Sequence, residues 1–352
     1  MKNCFDRIRL NTQFDSPAQW MKINCIDMHT GGEPLRVVLD GLPEIFGANI
    51  LEKRAYFRSR HDGIRKSLMW EPRGHADMYG CIITEPNDEN AHFGVIFIHN
   101  EGYSTMCGHA VIALCKLAIN MKWVEIGEDE TEVIIDAPCG RIYTYGKKED
   151  GKATTTRFQC VPSFVVAVDQ VVEIPGFGEV QYDIAYGGAF YAYVDADKIQ
   201  LDLDIKNYSK IIKAGMDIKH TVAHESSLIQ HPFETDFSFL YGTIFTSKKS
   251  SAHADSRNVC VFANGEVDRS PTGSGVAGRM ALHYRKGEIA LGQEMKVESI
   301  VGSIFSGSVI REEEYGSFSS VVPQVEGEAF FTGQHVFYID PNDPFRQGFF
   351  LR

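Results

Sequence analysis

Short runs of consecutive apolar residues, broken every few positions by glycine, proline or charge, dominate the chain. Gly94-Val95-Ile96-Phe97-Ile98, Val133-Ile134-Ile135 and Phe164-Val165-Val166-Ala167-Val168 are representative. Runs this rich in β-branched and aromatic side chains predict strands. Helical spacing is rarer. Apolar residues recur every three or four positions over Ile205 to Ile218, and the alanine-bearing stretches Gly108 to Met121 and Gly275 to Arg285 are largely apolar. These three segments are predicted as helices. A mixed α/β (α+β) chain follows, with sheet as its main framework.

At 352 residues the chain has room for two domains of roughly 100–200 residues each. Gly146 to Thr156, rich in Lys, Glu, Asp, Gly and Thr, predicts a hairpin turn or a linker near the midpoint. A boundary just after it divides the chain into residues 1–157 and 158–334, with the segment from about 335 to 352 expected to pack back on the first part. An internal repeat fits this division. Met106-Cys107-Gly108-His109-Ala110-Val111 and Pro271-Thr272-Gly273-Ser274-Gly275-Val276 share one order: a small nucleophile-like residue, glycine, a polar residue, a small residue, then a helical stretch. One copy in each half points to duplicated domains facing each other across a cleft, a usual place for a small-molecule site. Chance recurrence of a short glycine-bearing helix start is the alternative.

Composition narrows the function. Hydrophobic residues at 43% and charged residues at 23% are ordinary for a globular protein that folds without a partner. The net charge of -12, with no run of basic residues, argues against a nucleic-acid partner. No apolar stretch approaches the roughly 20 residues that span a bilayer, and Met1 to Trp20 mixes Asp6, Arg7, Arg9 and Asp15 into a polar leader, so neither secretion nor membrane insertion is expected. None of the eight cysteines is spaced C-x-x-C, which predicts reduced thiols in a cytoplasm. His75-Ala76-Asp77 is the nearest approach to a metal-ligand pair, and no G-x-G-x-x-G follows a strand. No metal or dinucleotide is expected.

The two repeated segments carry the candidate chemistry. A residue at a helix start faces unpaired backbone N–H groups and the positive end of the helix dipole. Cys107 there is expected to favour the thiolate, with a pKa in the range of about 3.5–7.5 found for activated cysteines. The N–H groups of Gly108 and His109 would hold a substrate carboxylate, leaving Cys107 placed to take the α-proton of an amino acid. The plain structural alternative is a buried cysteine before a core helix. Asp268 to Gly275 offers a second helix start with hydroxyls and glycine N–H groups, but lacks the lysine of a phosphate-binding P-loop. Asp268 could accept a hydrogen bond from a substrate ammonium; an exposed loop acid or a helix-capping carboxylate is the alternative.

Five ordered blocks resemble the proline racemase and hydroxyproline epimerase family, most closely its dehydratase branch. They are Asp27-Met28-His29-Thr30-Gly31-Gly32-Glu33-Pro34, Glu71-Pro72-Arg73-Gly74-His75-Ala76-Asp77-Met78-Tyr79-Gly80, Met106-Cys107-Gly108-His109-Ala110, Tyr186-Gly187-Gly188-Ala189-Phe190-Tyr191 and Asp268 through Gly275. The resemblance implies a diaminopimelate-epimerase-like fold: two pseudo-symmetric domains, each a curved sheet around a central helix, with a cofactor-free site between them. It also implies substrate binding by Gly108, His109, Asp268, Gly273 and Ser274, a hydroxyproline as substrate, and is compatible with a homodimer. The family's racemases begin each central helix with a catalytic cysteine. Here Cys107 matches the first and Thr272 stands at the second, as in the dehydratase branch.

That departure bears on the reaction. A threonine hydroxyl is a far weaker acid than a thiol, so protonating the opposite face, as epimerisation requires, is disfavoured. Loss of a hydroxyl from the neighbouring carbon needs no second acid, and trans-3-hydroxy-L-proline would give Δ1-pyrroline-2-carboxylate. Its hydroxyl and α-hydrogen lie on one ring face, so the Cys107 thiol or a water beside it could protonate the leaving oxygen, with His109 as an alternative acid. Two further readings stay open: an epimerase or racemase that tolerates Thr272, and a catalytically silent amino-acid-binding protein, which has no need of Cys107.

Overall fold

A computed structural model describes residues 3–149, 152–225 and 227–351. A short helix, α1 (Cys4–Leu10), precedes the hairpin of β1 (Met21–Thr30) and β2 (Glu33–Asp40). Then come α2 (Ile50–Met69), the antiparallel pair β3 (Tyr79–Thr84) and β4 (Phe93–His99), α3 (Gly108–Asn120), and the pair β5 (Glu130–Ala137) and β6 (Gly140–Glu149). β7 (Lys152–Gln159) and β8 (Ser163–Ile174) lead into the second half. There β9 (Gly178–Tyr186) and β10 (Phe190–Asp195) form a hairpin, followed by α4 (Tyr208–Glu225), the pair β11 (Leu240–Ser247) and β12 (Ser256–Phe262), and the two-residue β13 (Glu266–Val267). α5 (Gly273–Arg285), β14 (Met295–Glu298), β15 (Ile304–Tyr315) and β16 (Phe318–Ile339) complete the chain.

The two halves repeat one pattern. β2 and β3 pair in parallel across α2, and β4 and β5 across α3. β10 and β11 do the same across α4, and β12 and β14 across α5. The 22-residue β16 is common to both halves: it pairs with β8 and β15 near its start, with β7 further on, and with β1 towards its end. Each half therefore curls into a closed ring of strands, and β16 is a stave of both.

A helix fills each ring. Every residue of α3 from Gly108 to Cys115 is buried, as is every residue of α5 from Gly273 to Leu282. A helix apolar on all sides is stable only when enclosed, and one continuous apolar core contains both. α2 instead lies outside the first ring, where Ile50, Phe57, Leu68 and Met69 meet Ile82, Ile96 and Ile98 in a smaller core. No helix among the described residues is long and apolar enough to cross a membrane.

The predicted strands and three helices are present with shifted ends: α5 starts at Gly273, and Ile205–Asn207 is a 3-10 turn before α4. α2 was not predicted. Its buried positions include Lys53, Arg54 and Arg65, which blur the apolar periodicity. Arg65 is held by Asp62 and by the carbonyls of His99 and Asn100. Of the stretch Gly146 to Thr156, residues 146–149 and 152–156 belong to the paired strands β6 and β7, and residues 150–151 lie outside the described residues. Residue 157 falls within β7. Towards the C-terminus, His335 to Ile339 pair with β1, and Phe349 bridges to Glu71.

Candidate active site

The two ring-filling helices meet at their N-termini. A Cβ on Gly108 would lie 2.6 Å from the Cα of Gly273, and one on Gly273 would lie 2.7 Å from the Cα of Gly108. Backbone cannot yield as a side-chain tip can, so both positions require glycine. Cys107 and Thr272 are the N-caps of these helices. They line a single pocket with Gly108, His109, Asp268, Gly273 and Ser274, which brings all seven sequence-predicted residues together. The pocket has a free volume of only about 20 Å³, and Cys107 and Thr272 are only 4% and 5% exposed. First-turn N–H groups of both helices have no intrahelical partner, and both dipoles place their positive ends here. The site is suited to a carboxylate and to a second developing negative charge.

Cys107 departs from expectation in its protonation. Burial pushes its thiol well above the ordinary value, against the backbone N–H of Ala110 and the Tyr79 hydroxyl, which pull it down, while Asp268 and Cys81 add to the rise. Loss of hydration outweighs the helix start. Burial therefore favours the thiol over the expected thiolate. Its sulfur lies 3.3 Å from His109 Nδ1. Burial lowers the His109 pKa to about 3, with its ring's bond to the Pro34 carbonyl opposing. The imidazole is therefore neutral near pH 7 and is a poor source of a proton.

Asp268 lies in the loop between β13 and α5 but is only 5% exposed, so it is not an exposed loop acid. Desolvation raises its pKa to about 6, moderated by Ser270, Thr272 and Arg269. The Ser270 N–H donates to it at 2.7 Å. Two more carboxyl groups stand close by. Glu33 accepts from the Arg269 N–H at 2.7 Å and is pushed well above its ordinary range by burial, and Asp77 accepts from the Arg269 guanidinium at 2.6 Å. With Asp77 paired to the guanidinium and burial favouring the neutral form of Glu33, Asp268 is the carboxyl group placed to meet a cation in the pocket.

Thr272 sits at φ 68°, ψ 94°, a rare conformation for a β-branched residue and one that costs energy. Its hydroxyl is near Asp268 but makes no hydrogen bond of ordinary geometry. Ser274 Oγ is 2.8 Å from the Tyr191 hydroxyl. His75 is exposed and pairs with the Ala76 carbonyl at 2.7 Å; among the described residues no three His, Cys, Asp or Glu side chains are grouped to hold a metal.

A family model described as proline racemase matches residues 25–350. The chain belongs to the proline racemase family. It is 48% identical over 333 residues to a trans-3-hydroxy-L-proline dehydratase of Colwellia psychrerythraea, covering 95% of this chain and 94% of the relative. It is 44% identical over 330 residues to a 3-hydroxyproline 2-epimerase of Burkholderia multivorans, covering 94% and 98%. A hydroxyproline epimerase of Agrobacterium vitis, solved with bound trans-4-OH-L-proline, superposes with a TM-score of 0.88 at 25% identity, over 95% of this chain and 96% of that one. The likeness agrees with the expected fold of two curved sheets around central helices.

Sequence reading assigned no role to Tyr79, Tyr191, Tyr241, Phe262 or Met106, which also line the pocket. Tyr79 and Tyr191 fall within the blocks that carry the family resemblance, a signal that could have flagged them. Tyr241 and Phe262 sit in apolar strands, where an aromatic residue reads as core.

Proposed function

We propose that this proline racemase family member dehydrates trans-3-hydroxy-L-proline to Δ1-pyrroline-2-carboxylate. The observation that carries the reading is the unequal pair at the facing helix starts, a thiol at Cys107 and a hydroxyl at Thr272. Gly108, His109, Gly273 and Ser274 hold the ring and its carboxylate through first-turn N–H groups, and Asp268 takes the ammonium. The substrate's ammonium beside Asp268 offsets a charge that disfavours the Cys107 anion, so the thiolate forms as substrate binds and its proton passes to solvent. It removes the α-proton, the C–H electron pair becomes the ring double bond, and the C3–O pair leaves with the hydroxyl. The enamine then tautomerises to the cyclic imine.

The dehydratase relative supports this substrate and reaction. The epimerase relative favours a second reading, inversion at C2, against which the weakly acidic Thr272 stands. Eight free thiols support a reducing compartment such as the cytoplasm. The test is incubation with trans-3-hydroxy-L-proline, followed by a colour reaction for the cyclic imine and chiral chromatography of the remaining amino acid. Imine formation without the C2 epimer is expected. Accumulation of the epimer without imine would overturn the reading.

A further inference from the structure

Hydroxide is a poor leaving group, and an acid must meet it on the face from which Cys107 draws the α-proton. His109 is neutral there. Tyr241 is different. Tyr241 is buried and lines the pocket, and among the described residues its hydroxyl makes no hydrogen bond of ordinary geometry. The local backbone accounts for its placement: β10 and β11 pair Phe190 with Leu240 and then Tyr191 with Gly242, so Tyr241 is the unpaired residue of a bulge. Bulges re-aim a side chain and recur beside active sites. Phe262 and Tyr191 hold the ring, with centroids at 5.5 and 5.9 Å.

Tyr79 connects this hydroxyl to the base. Its ring stacks on His99 and meets His109 edge-on, and its hydroxyl is tied to Ser104. That hydroxyl faces both the Cys107 sulfur and the Tyr241 hydroxyl.

Resting on the dehydratase reading, we propose that Tyr241 protonates the departing 3-hydroxyl and that Tyr79 returns the proton from Cys107. The steps balance. The α-proton goes to the thiolate, the C–H pair forms the double bond, and the C3–O pair leaves with oxygen, which takes the Tyr241 proton and departs as water. Tyr241 regains a proton from Tyr79, and Tyr79 regains one from the Cys107 thiol, restoring the thiolate. Burial pushes both tyrosines well above their ordinary range, so both are protonated at the outset.

The experiment compares trans-3-hydroxy-L-proline with trans-3-fluoro-L-proline, whose fluoride leaves without needing a proton. Tyr241→Phe is expected to lower turnover of the hydroxy substrate at least ~100-fold, the scale of one general acid. Fluoride release should stay within about threefold of wild type, since Cys107 is untouched. Equal loss on both substrates would mark a packing role, and near-wild-type dehydration would remove Tyr241 altogether; either overturns the proposal. If wild type itself makes no imine from the hydroxy substrate, the dehydratase reading has failed instead. The deleted hydroxyl makes no hydrogen bond of ordinary geometry, so the melting temperature should change little. As a second variant, 3,5-difluorotyrosine at position 241 keeps the donor but ionises at lower pH. It should retain turnover near pH 6 and lose it earlier on the basic side. Tyr79, Cys107, Glu266 and Cys260 face the ring in both proteins, so an unchanged basic limb would also overturn the assignment.

Discussion

At the scale of single residues, one sulfur separates abstraction of a proton from retention of a fold. Cys107→Ser keeps a hydrogen-bonding group of similar shape but no accessible anion, so turnover should fall by at least ~1000-fold. Binding of planar pyrrole-2-carboxylate, measured by calorimetry, should change little. A serine variant with a tenth of wild-type turnover would remove Cys107 from the base role. The complementary change, Thr272→Cys, places a second thiol at the opposite helix start. It should gain C2 epimerisation of L-proline, which has no hydroxyl to lose, read as D-proline by chiral chromatography. D-proline formed by the wild type as fast as imine would mean that a second acid already exists.

Asp268 predicts a pH dependence with a defined sign. Its carboxyl ionises only above about pH 6, and the substrate's ammonium needs the anion. The ratio kcat/KM reports the free enzyme, so it should rise with pH through about 6. Asp268→Asn should abolish that rise and increase KM at least ~10-fold, the scale of a lost hydrogen bond to a charged group. Stability runs the other way. Between about pH 4, near the ordinary value for Asp, and about pH 6, the native state holds a proton that the unfolded chain has released, so stability falls as pH rises across that window. The Asn variant should lack that decline in urea titrations.

At the scale of elements, the contact between helix starts is the sharpest constraint. Gly108→Ala drives a methyl group into the Gly273 backbone, and overpacking of this kind costs about 1–3 kcal/mol. The variant should melt earlier and turn over far more slowly, because forcing the helices apart misplaces Cys107 and Thr272 together. An alanine variant with unchanged kcat would mean that the spacing of these helices does not matter.

The same elements mark what was legible beforehand. α3 and α5 were readable because both are largely apolar and begin at a glycine beside a small polar residue, although α5 also encloses Arg279, which donates to Asn258. α2 was not, since its packing depends on Arg65 reaching carbonyls that only the fold supplies. Site residues on loops and helix starts carried a chemical signature. Tyr241 carried none, because its importance arises from a one-residue slip between β10 and β11, and pairing register is not written in either strand alone. The thiol state of Cys107 was misjudged for a related reason: the helix start is visible in the sequence, while the depth of burial is a property of two rings closing together.

At the scale of the whole molecule, that closure has a consequence. We propose that the two halves, residues 1–157 and 158–334, act as jaws joined through β16. With Cys107 only 4% exposed and held as a thiol, reagents reach it only when the jaws part. Cys4, exposed on α1, supplies a reference within the same molecule. Treatment with iodoacetamide, followed by peptide mass spectrometry, should label Cys4 first and Cys107 at least ~10-fold later, since thiolate character and access both govern the rate. A bulky maleimide should widen the gap. Pyrrole-2-carboxylate, a planar mimic of the carbanion, should bind the closed jaws best and so suppress labelling of Cys107 while leaving Cys4 unaffected. If a bulky maleimide labels Cys107 as fast as Cys4, the pocket is open in solution, and desolvation is then not what keeps the thiol protonated.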